Sequence, residues 1–382
     1  MTEPRRVVVF SEQSSFGWGG PVDYIKTLLN FLLEHNVTID LVIDGGTTAK
    51  FVNEVSSSGV RLVDKANHRF LSYRERASRL PRPLNYLIEA LITEFWLRRN
   101  YPKNVIVIAS LCSPGRYLLP FGRLSRAVLV FHSDPRGPKH KRARHLFRFL
   151  IGREARIVAV SGFVAKQIEE VWGPLKGRKK LSAVLNPYTK DEITFEYNPC
   201  LRHYVLMVGS ASEEKNPWFW LEVAKKTLAL PVDESLKFRW VGGGPLLESM
   251  RSWVEGQGLA RKIELPGFDP DPLRHYWEAK VYLHLSVRDS SPLSAIDAVQ
   301  AKLPMMVANV GGLPELCEHE RNGLVVSTDD PMVVSEALIE LLTDDMRLLR
   351  FSKGSKQVYE ETMRLDVWKG RMTAVVFPRK TR

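Results

Sequence analysis

Short apolar runs rich in Val and Ile alternate with longer stretches of helical periodicity, and the alternation occurs twice along the chain. Parallel strands need long crossover connections, which helices supply, so this pattern points to two parallel sheets covered by helices, an α/β class. In the first series, residues 7–10, 38–43, 61–63, 104–110, 127–131, 156–160 and 182–185 read as strands. A glycine turn, Gly17-Trp18-Gly19-Gly20, leads into a helix over 22–34 whose Ile25, Leu28, Leu29 and Leu32 fall at helical spacing. Periodicity lapses around Asn186-Pro187, which predicts a linker over 187–202. The second series has strands at 204–208, 237–241, 262–265, 281–287 and 305–308, and helices at 218–228, 246–257 and 293–301. The domains are therefore expected at 1–187 and 188–362. Ligands of such sheets bind beyond the carboxyl ends of the strands, so the natural site is a cleft between two facing domains.

Length and composition narrow the class. A chain of 382 residues fits two domains and is too long for a single small module. Its three cysteines, Cys112, Cys200 and Cys317, are too far apart for a CxxC metal clip and too few for a disulfide scaffold. That usage predicts a reducing, cytoplasmic setting. Residues 1–6 run straight into the first apolar strand, so no signal peptide is expected. The most apolar long stretch, 84–97, is broken by Glu89 and Glu94, whereas a span needs about 20 apolar residues. Charge is unevenly placed: residues 1–190 hold 31 Lys and Arg against 15 Asp and Glu, while residues 191–382 hold 24 against 28, so the whole net charge of +12 comes from the first half. The first half is thus expected to meet something anionic.

The most informative segment is 281–316, which runs strand, acid, tight turn, helix with a second acid, strand, glycine turn. Asp289 lies just past the strand and Asp297 about one turn into the helix, so both carboxylates border one helix N-terminus. The backbone N–H groups of Leu293, Ser294 and Ala295 would be open there, and with the helix dipole they favour an anion such as phosphate. The competing reading makes Ser294 and Asp297 an S-x-x-D capping pair and Asp289 a solvated turn residue. Both remain open from the residues alone.

This segment resembles the signature of family-4 (group 1) retaining glycosyltransferases of the GT-B fold, in which an acid, seven residues and a second acid precede a Leu-Pro strand and a Gly-Gly-x-Pro-Glu turn. Asp289 and Asp297 have that spacing, followed by Leu303-Pro304 and Gly311-Gly312-Leu313-Pro314-Glu315. The likeness extends to Val241-Gly242-Gly243-Gly244-Pro245, Gly267-Phe268, Val208-Gly209 with Lys215, Gly19-Gly20, His132, Ala159-Val160-Ser161 and Asn186, and so touches nearly the whole chain. It implies two Rossmann-like domains facing each other across a deep cleft, with a C-terminal helix and tail, 363–382, crossing back to the first domain.

The resemblance also implies roles. Asp289 matches the acid that holds donor-sugar hydroxyls, and Asp297 the acid that binds the nucleotide ribose. Lys215 matches the lysine that neutralises the donor pyrophosphate, with Gly209, Ser210, Leu293 and Ser294 beside it. Gly243 and Phe268 lie where backbone groups meet the base. Gly19 and Gly20 allow the first domain's loop to approach the phosphates, and His132 matches a histidine lining the sugar side. No metal and no separate cofactor are expected, since Lys215 and the helix amides hold the diphosphate. Three departures stand out: both signature acids are Asp, Ser210 occupies a usual arginine position, and Pro292 a usual glycine position.

The implied activity is transfer of a sugar, with retention, from a nucleotide diphosphate-sugar to a glycan or lipid-linked acceptor in polysaccharide or glycolipid assembly. Arg-rich stretches interleaved with Leu and Phe, at 139–150 and 69–97, fit peripheral docking on an anionic membrane face. Nucleic acid would satisfy the charge alone, but no nucleic-acid-binding signature accompanies it. A solvated basic face, Lys215 as a plain loop lysine and His132 as a structural histidine bound to a backbone carbonyl are the simpler readings. A sugar-nucleotide epimerase of the same architecture also stays open. A nicotinamide-dependent oxidoreductase would use Asp44, but the first-strand glycine spacing is wrong for it. The side chains that choose among donor sugars and bases are unmarked.

Overall fold

The computed structural model describes residues 5–11, 20–43, 55, 58–64, 82–110, 114–133, 150–152, 154–172, 181–187 and 196–378. The chain divides into two compact units, 1–185 with 368–382, and 186–367.

The first unit holds a seven-stranded parallel sheet built from β1 (Arg6–Ser11), β2 (Thr38–Ile43), β3 (Arg61–Asp64), β4 (Ile106–Ser110), β5 (Val128–Phe131), β6 (Arg156–Ala159) and β7 (Leu181–Ala183), in the order β3-β2-β1-β4-β5-β6-β7. Its strands are apolar on both faces, as a sheet covered on both sides requires, and Val7, Val8, Val9 and Phe10 are all fully buried. One charge breaks the pattern. Asp40 of β2 is buried, and Arg61, its register partner on β3, donates from Nε to Oδ1 at 2.6 Å, which offsets the cost of taking that carboxylate out of water. The unit's helices among the described residues before residue 186 include α1 (Gly20–Glu34), α2 (Arg82–Asn100) and α3 (Gly162–Trp172). The apolar stretch at 84–97 thus belongs to a 19-residue helix of this unit. Among the described residues no helix is long and apolar enough to cross a membrane.

The second unit repeats the scheme with β8 (Tyr204–Val208), β9 (Lys237–Val241), β10 (Ile263–Gly267), β11 (Ala279–His284), β12 (Met305–Ala308) and β13 (Gly323–Val326), in the order β10-β9-β8-β11-β12-β13. Its helices are α4 (Pro217–Leu228), α5 (Leu247–Gly256), α6 (Leu273–Glu278), α7 (Leu293–Gln300), α8 (Leu313–Leu316), α9 (Pro331–Thr343) and α10 (Asp345–Val358). Trp220 of α4 meets Phe238 and Trp240 of β9 edge-on, at ring centroids 5.6 and 5.4 Å apart, and anchors that helix to the sheet. Five segments that the sequence reading left unassigned, α6, α8, β13, α9 and α10, complete this unit.

In both sheets the strand order reverses beside the first strand, between β1 and β4 and between β8 and β11. Such a reversal opens a crevice at the carboxyl ends of the two strands, because their connections leave in opposite directions.

A π-helical turn at 359–363 leads into α11 (Leu365–Val376). From residue 368 the chain is again part of the first unit. Trp368 sets its ring edge-on to Tyr24 and Phe31 of α1, at 6.0 and 5.5 Å, and is 1% exposed. Arg156, at the start of β6, donates to the Val375 carbonyl at the helix's C-terminal end, where a cation complements the helix dipole. Trp368→Ala removes a buried indole from this seam, and chemical unfolding should show a loss of about 3 kcal/mol.

Candidate active site

The connection after β8 carries Lys215 and the connection after β11 carries Asp289, so both side chains arise at the switch point of the second sheet. Three backbone devices bring them together. Asn216 takes the left-handed conformation, φ 56°, at the start of α4, and its side-chain amide donates to the Leu285 carbonyl at 3.2 Å. The Val287 N–H donates to the Glu214 carbonyl at 3.0 Å, lacing one loop to the other. On the far side the Gly312 N–H donates to the Asp289 carbonyl at 2.9 Å, and Gly311, at φ +60°, lies so close that a Cβ would collide with that oxygen. This is the local reason for a glycine at position 311.

Held this way, the Asp289 carboxylate accepts a charge-assisted hydrogen bond from Lys215 Nζ. Its side chain is 12% exposed and that of Lys215 20%. Burial alone would push the Asp289 carboxyl up, but the hydrogen bond from His284 and the charge of Lys215 outweigh it and hold the group down at about 2. Asp289 is therefore an anion, and not the solvated turn residue of the simpler reading. Lys215 is likewise paired, and not a free loop lysine.

His284 and its neighbours were not anticipated. Tyr282, His284 and Ser286 alternate along β11 and its exit, so their side chains share one face. His284 Nε2 lies 2.6 Å from Ser286 Oγ and 3.0 Å from Asp289 Oδ2, and its Nδ1 lies 3.0 Å from the Tyr282 hydroxyl. The Tyr282 hydroxyl is in turn 3.0 Å from Ser294 Oγ, and the Tyr276 hydroxyl donates to the Ser294 carbonyl at 3.0 Å. Burial drives the imidazole pKa down, keeping His284 neutral. It also drives the Tyr282 phenol up, and the charges of Asp289 and Asp297 add to that effect. The available signal was a histidine inside an otherwise apolar strand, two residues after a tyrosine and five before the acid.

At the N-terminus of α7 two expectations change. Pro292 is the N-cap, no side chain caps the helix, and Ser294 is engaged with Tyr282, so the capping pair with Asp297 does not form. The Ala295 N–H donates to the Pro292 carbonyl at 3.1 Å and is not open; among the described residues the N–H groups of Leu293 and Ser294 have no acceptor. Asp297 is buried on the helix, 7% exposed. The Asn186 side-chain amide donates to the Ser291 carbonyl at 3.1 Å, while Asn186 Oδ1 and Ser291 Oγ are buried without partners beside the same helix end. Buried polar atoms of that kind are the ordinary mark of a site completed by a ligand or water.

The remaining candidates of this unit lie on the same carboxyl edge. Gly209 lies against the Lys215 side chain, Ser210 is exposed with its hydroxyl 2.9 Å from that of Ser212, and Gly243 lies beside Phe268, whose ring is 61% exposed. Gly242 and Gly244 press on the backbone of Gly209 and Ala211, where side chains would collide. In the first unit, His132 follows β5; it lies 3.0 Å from Ser110 Oγ and edge-on to Tyr24 at 4.5 Å. Its partner is thus a side chain and not the backbone carbonyl of the simpler reading, and burial pushes it down to about 3, so it is neutral. Gly20 opens α1. Gly19, Asp44, Cys112 and the basic runs 69–81 and 139–148 lie outside the described residues.

Residues 192–358 match the family described as glycosyl transferases group 1. Among curated proteins, 151 residues are 26% identical to the Escherichia coli UDP-Gal:alpha-D-GlcNAc-diphosphoundecaprenol alpha-1,3-galactosyltransferase, covering 39% of each chain. Over 135 residues the chain is 27% identical to the Mycobacterium tuberculosis GDP-mannose-dependent alpha-(1-6)-phosphatidylinositol monomannoside mannosyltransferase, covering 33% of this chain and 35% of that one. The chain thus spans less than two fifths of the length of either of these relatives. Among solved structures, a glycosyltransferase from Rickettsia africae superposes with a TM-score of 0.76 at 13% identity, covering 99% of this chain and 100% of that one. Anabaena HepE in complex with UDP does so at 0.71 and 11%, covering 97% and 98%. The fold is that of the GT-B glycosyltransferases, two Rossmann-like domains of parallel sheet and helices.

Removing one partner of a largely buried ion pair costs more than removing both. Lys215→Met is expected to lower unfolding stability by about 2 kcal/mol, and adding Asp289→Asn should restore most of it. Because the Asp289 carboxyl is held at about 2 against an ordinary 3.8, its contribution to stability is present above pH 3.8 and lost as pH falls toward 2. Acid unfolding curves should show that increment in the wild type and lack it in Asp289→Asn.

Proposed function

Starting from the match of residues 192–358 to the group 1 glycosyltransferase family, we propose that this chain transfers a sugar from a nucleotide diphosphate-sugar to an acceptor hydroxyl, with retention at the anomeric carbon. The observation that carries the reading is the Lys215–Asp289 pair at the switch point of the second sheet, beside the open amides of α7. A diphosphate at that helix end meets the Leu293 and Ser294 N–H groups and draws Lys215 to itself, since a compact ammonium is suited to a phosphate charge. Asp289 is then free to accept hydrogen bonds from donor-sugar hydroxyls, while Asp297 serves the ribose and the exposed Phe268 edge the base. In the transfer, the bond from the anomeric carbon to the phosphate oxygen breaks as the bond to the acceptor oxygen forms on the same face. The acceptor's proton passes to the departing phosphate, whose charge Lys215 and the helix amides stabilise. These groups supply the positive charge that a divalent ion provides elsewhere, so the reaction is read as metal-independent.

The acceptor class proposed is a glycan or lipid-linked sugar, and the surface observation that favours a membrane setting lies on α2. Leu84, Leu91 and Phe95 fall on one face of that helix and are 44%, 43% and 52% exposed, and Arg98 and Arg99 follow them. An exposed apolar ridge with a cationic end in the basic half of the chain fits an anionic bilayer.

Thermal-shift screening against UDP- and GDP-sugars should find a donor that raises the melting temperature; no shift with any of them would sink the transferase. With that donor, Asp289→Ala should lose at least about 100-fold in turnover yet bind the nucleoside diphosphate no more weakly than wild type, because Lys215 is released. A product that is a free epimerised sugar, untransferred, would favour the epimerase. Co-sedimentation with phosphatidylglycerol vesicles should fall at least about fivefold in Leu91→Ser/Phe95→Ser, and binding that ignores both this change and added salt removes the membrane setting.

A further inference from the structure

His284 is expensive where it stands. β11 lies between β8 and β12 in the middle of its sheet, and the imidazole is wholly buried where a leucine would pack with no polar atoms to satisfy. Both ring nitrogens are nevertheless engaged, and the direction of the bonds follows from what each partner offers. The Asp289 carboxylate only accepts, so Nε2 carries the proton, which it shares between Asp289 Oδ2 at 3.0 Å and the nearer Ser286 Oγ at 2.6 Å. In a neutral ring Nδ1 is then an acceptor, and it takes the Tyr282 hydroxyl proton. The Tyr282 hydroxyl also meets Ser294 Oγ, and Tyr276 fixes the Ser294 carbonyl. A continuous rail of hydrogen bonds therefore runs from the first turn of α7 through the sheet to Asp289.

The two ends of this rail are the two groups that the transferase reading places against the donor, the helix amides against the diphosphate and the carboxylate against the sugar. Lys215 is one cation with two calls on it. Once it turns to a diphosphate, Asp289 remains a part-buried carboxylate that needs another donor to hold its direction. A neutral imidazole supplies that donor without adding a charge that competes for the phosphate. We propose that His284 is a positioning residue that keeps the Asp289 carboxylate aimed and registered to the end of α7 while Lys215 is engaged elsewhere. The proposal rests on the transferase reading and names a residue that reading does not use.

Three variants test it with the nucleotide sugar that shifts the wild type most in the screen above. His284→Leu keeps the core apolar and removes the rail; turnover should fall about 30-fold or more, with affinity for the corresponding nucleoside diphosphate, measured calorimetrically, within about threefold of wild type. His284→Gln offers an N–H toward Asp289 and should recover most of that loss. Tyr282→Phe deletes one oxygen at the other ring nitrogen, keeps the core filled should the leucine variant fail to fold, and should cost about fivefold in turnover with diphosphate binding unchanged. Leucine or phenylalanine variants that keep turnover within about twofold overturn the proposal, as does a loss of diphosphate binding that matches the loss of turnover. A ligand-free readout separates this failure from failure of the transferase reading. Asp289 titration, followed by carbon-13 resonances of labelled aspartate, should move upward in His284→Leu; if it does not move, His284 does not hold the carboxylate, whatever the chain transfers.

Discussion

Two opposite charges drawn largely out of water set the terms for the carboxyl edge of the second sheet. A carboxylate and an ammonium in that position each lose hydration, and only close approach with further hydrogen bonds offsets the loss. Lys215 and Asp289 come from loops that leave neighbouring strands in opposite directions, so their meeting has to be enforced by backbone. The left-handed Asn216, the Val287 to Glu214 bond and the Gly312 to Asp289 bond are that enforcement, one from each side of the pair.

Close backbone approach is the common device around this pair. At Gly242, Gly244 and Gly311 the φ angles are +151°, +152° and +60°, and in each case another loop's backbone occupies the space of a side chain. The loops after β8, β9, β11 and β12 are thereby drawn into one layer. That layer carries Lys215, from the connection after β8, and Asp289 with the α7 end, from the connection after β11; Phe268, from the connection after β10, lies on the same edge. A diphosphate and its two flanking sugars are long enough to need groups from several loops at once, which a switch point of parallel strands provides.

Much of this was legible beforehand. Strands buried on both faces announce themselves as runs such as Val7 to Phe10, and β2, β8, β9 and β12 have the bounds expected from their apolar runs. Asp289, Asp297 and the Gly311-Gly312 turn stood out through their resemblance to a family signature, while the residues alone left a capping pair equally open. The end of β11 was not: its apolar character continues to Val287, but the ladder stops at His284 because Val287 turns its N–H to Glu214 on another loop. The capping pair failed for a similar reason. Ser294 has the right neighbours for a cap, yet Tyr282, twelve residues earlier, takes its hydroxyl.

The order and spacing of residues along the chain by themselves determined the α/β class and the two sheets and placed two acids beside one helix N-terminus, because periodicity and tight turns are local properties of a polypeptide. Only the tertiary structure decided which groups those acids meet. That Asp289 pairs with Lys215, 74 positions away, that His284 is a neutral donor to it, and that the Ala295 amide is already spent, all depend on which atoms share a space from which water is excluded. Charge, tautomer and hydrogen-bond direction are settled by that shared environment, and no stretch of sequence read alone contains it.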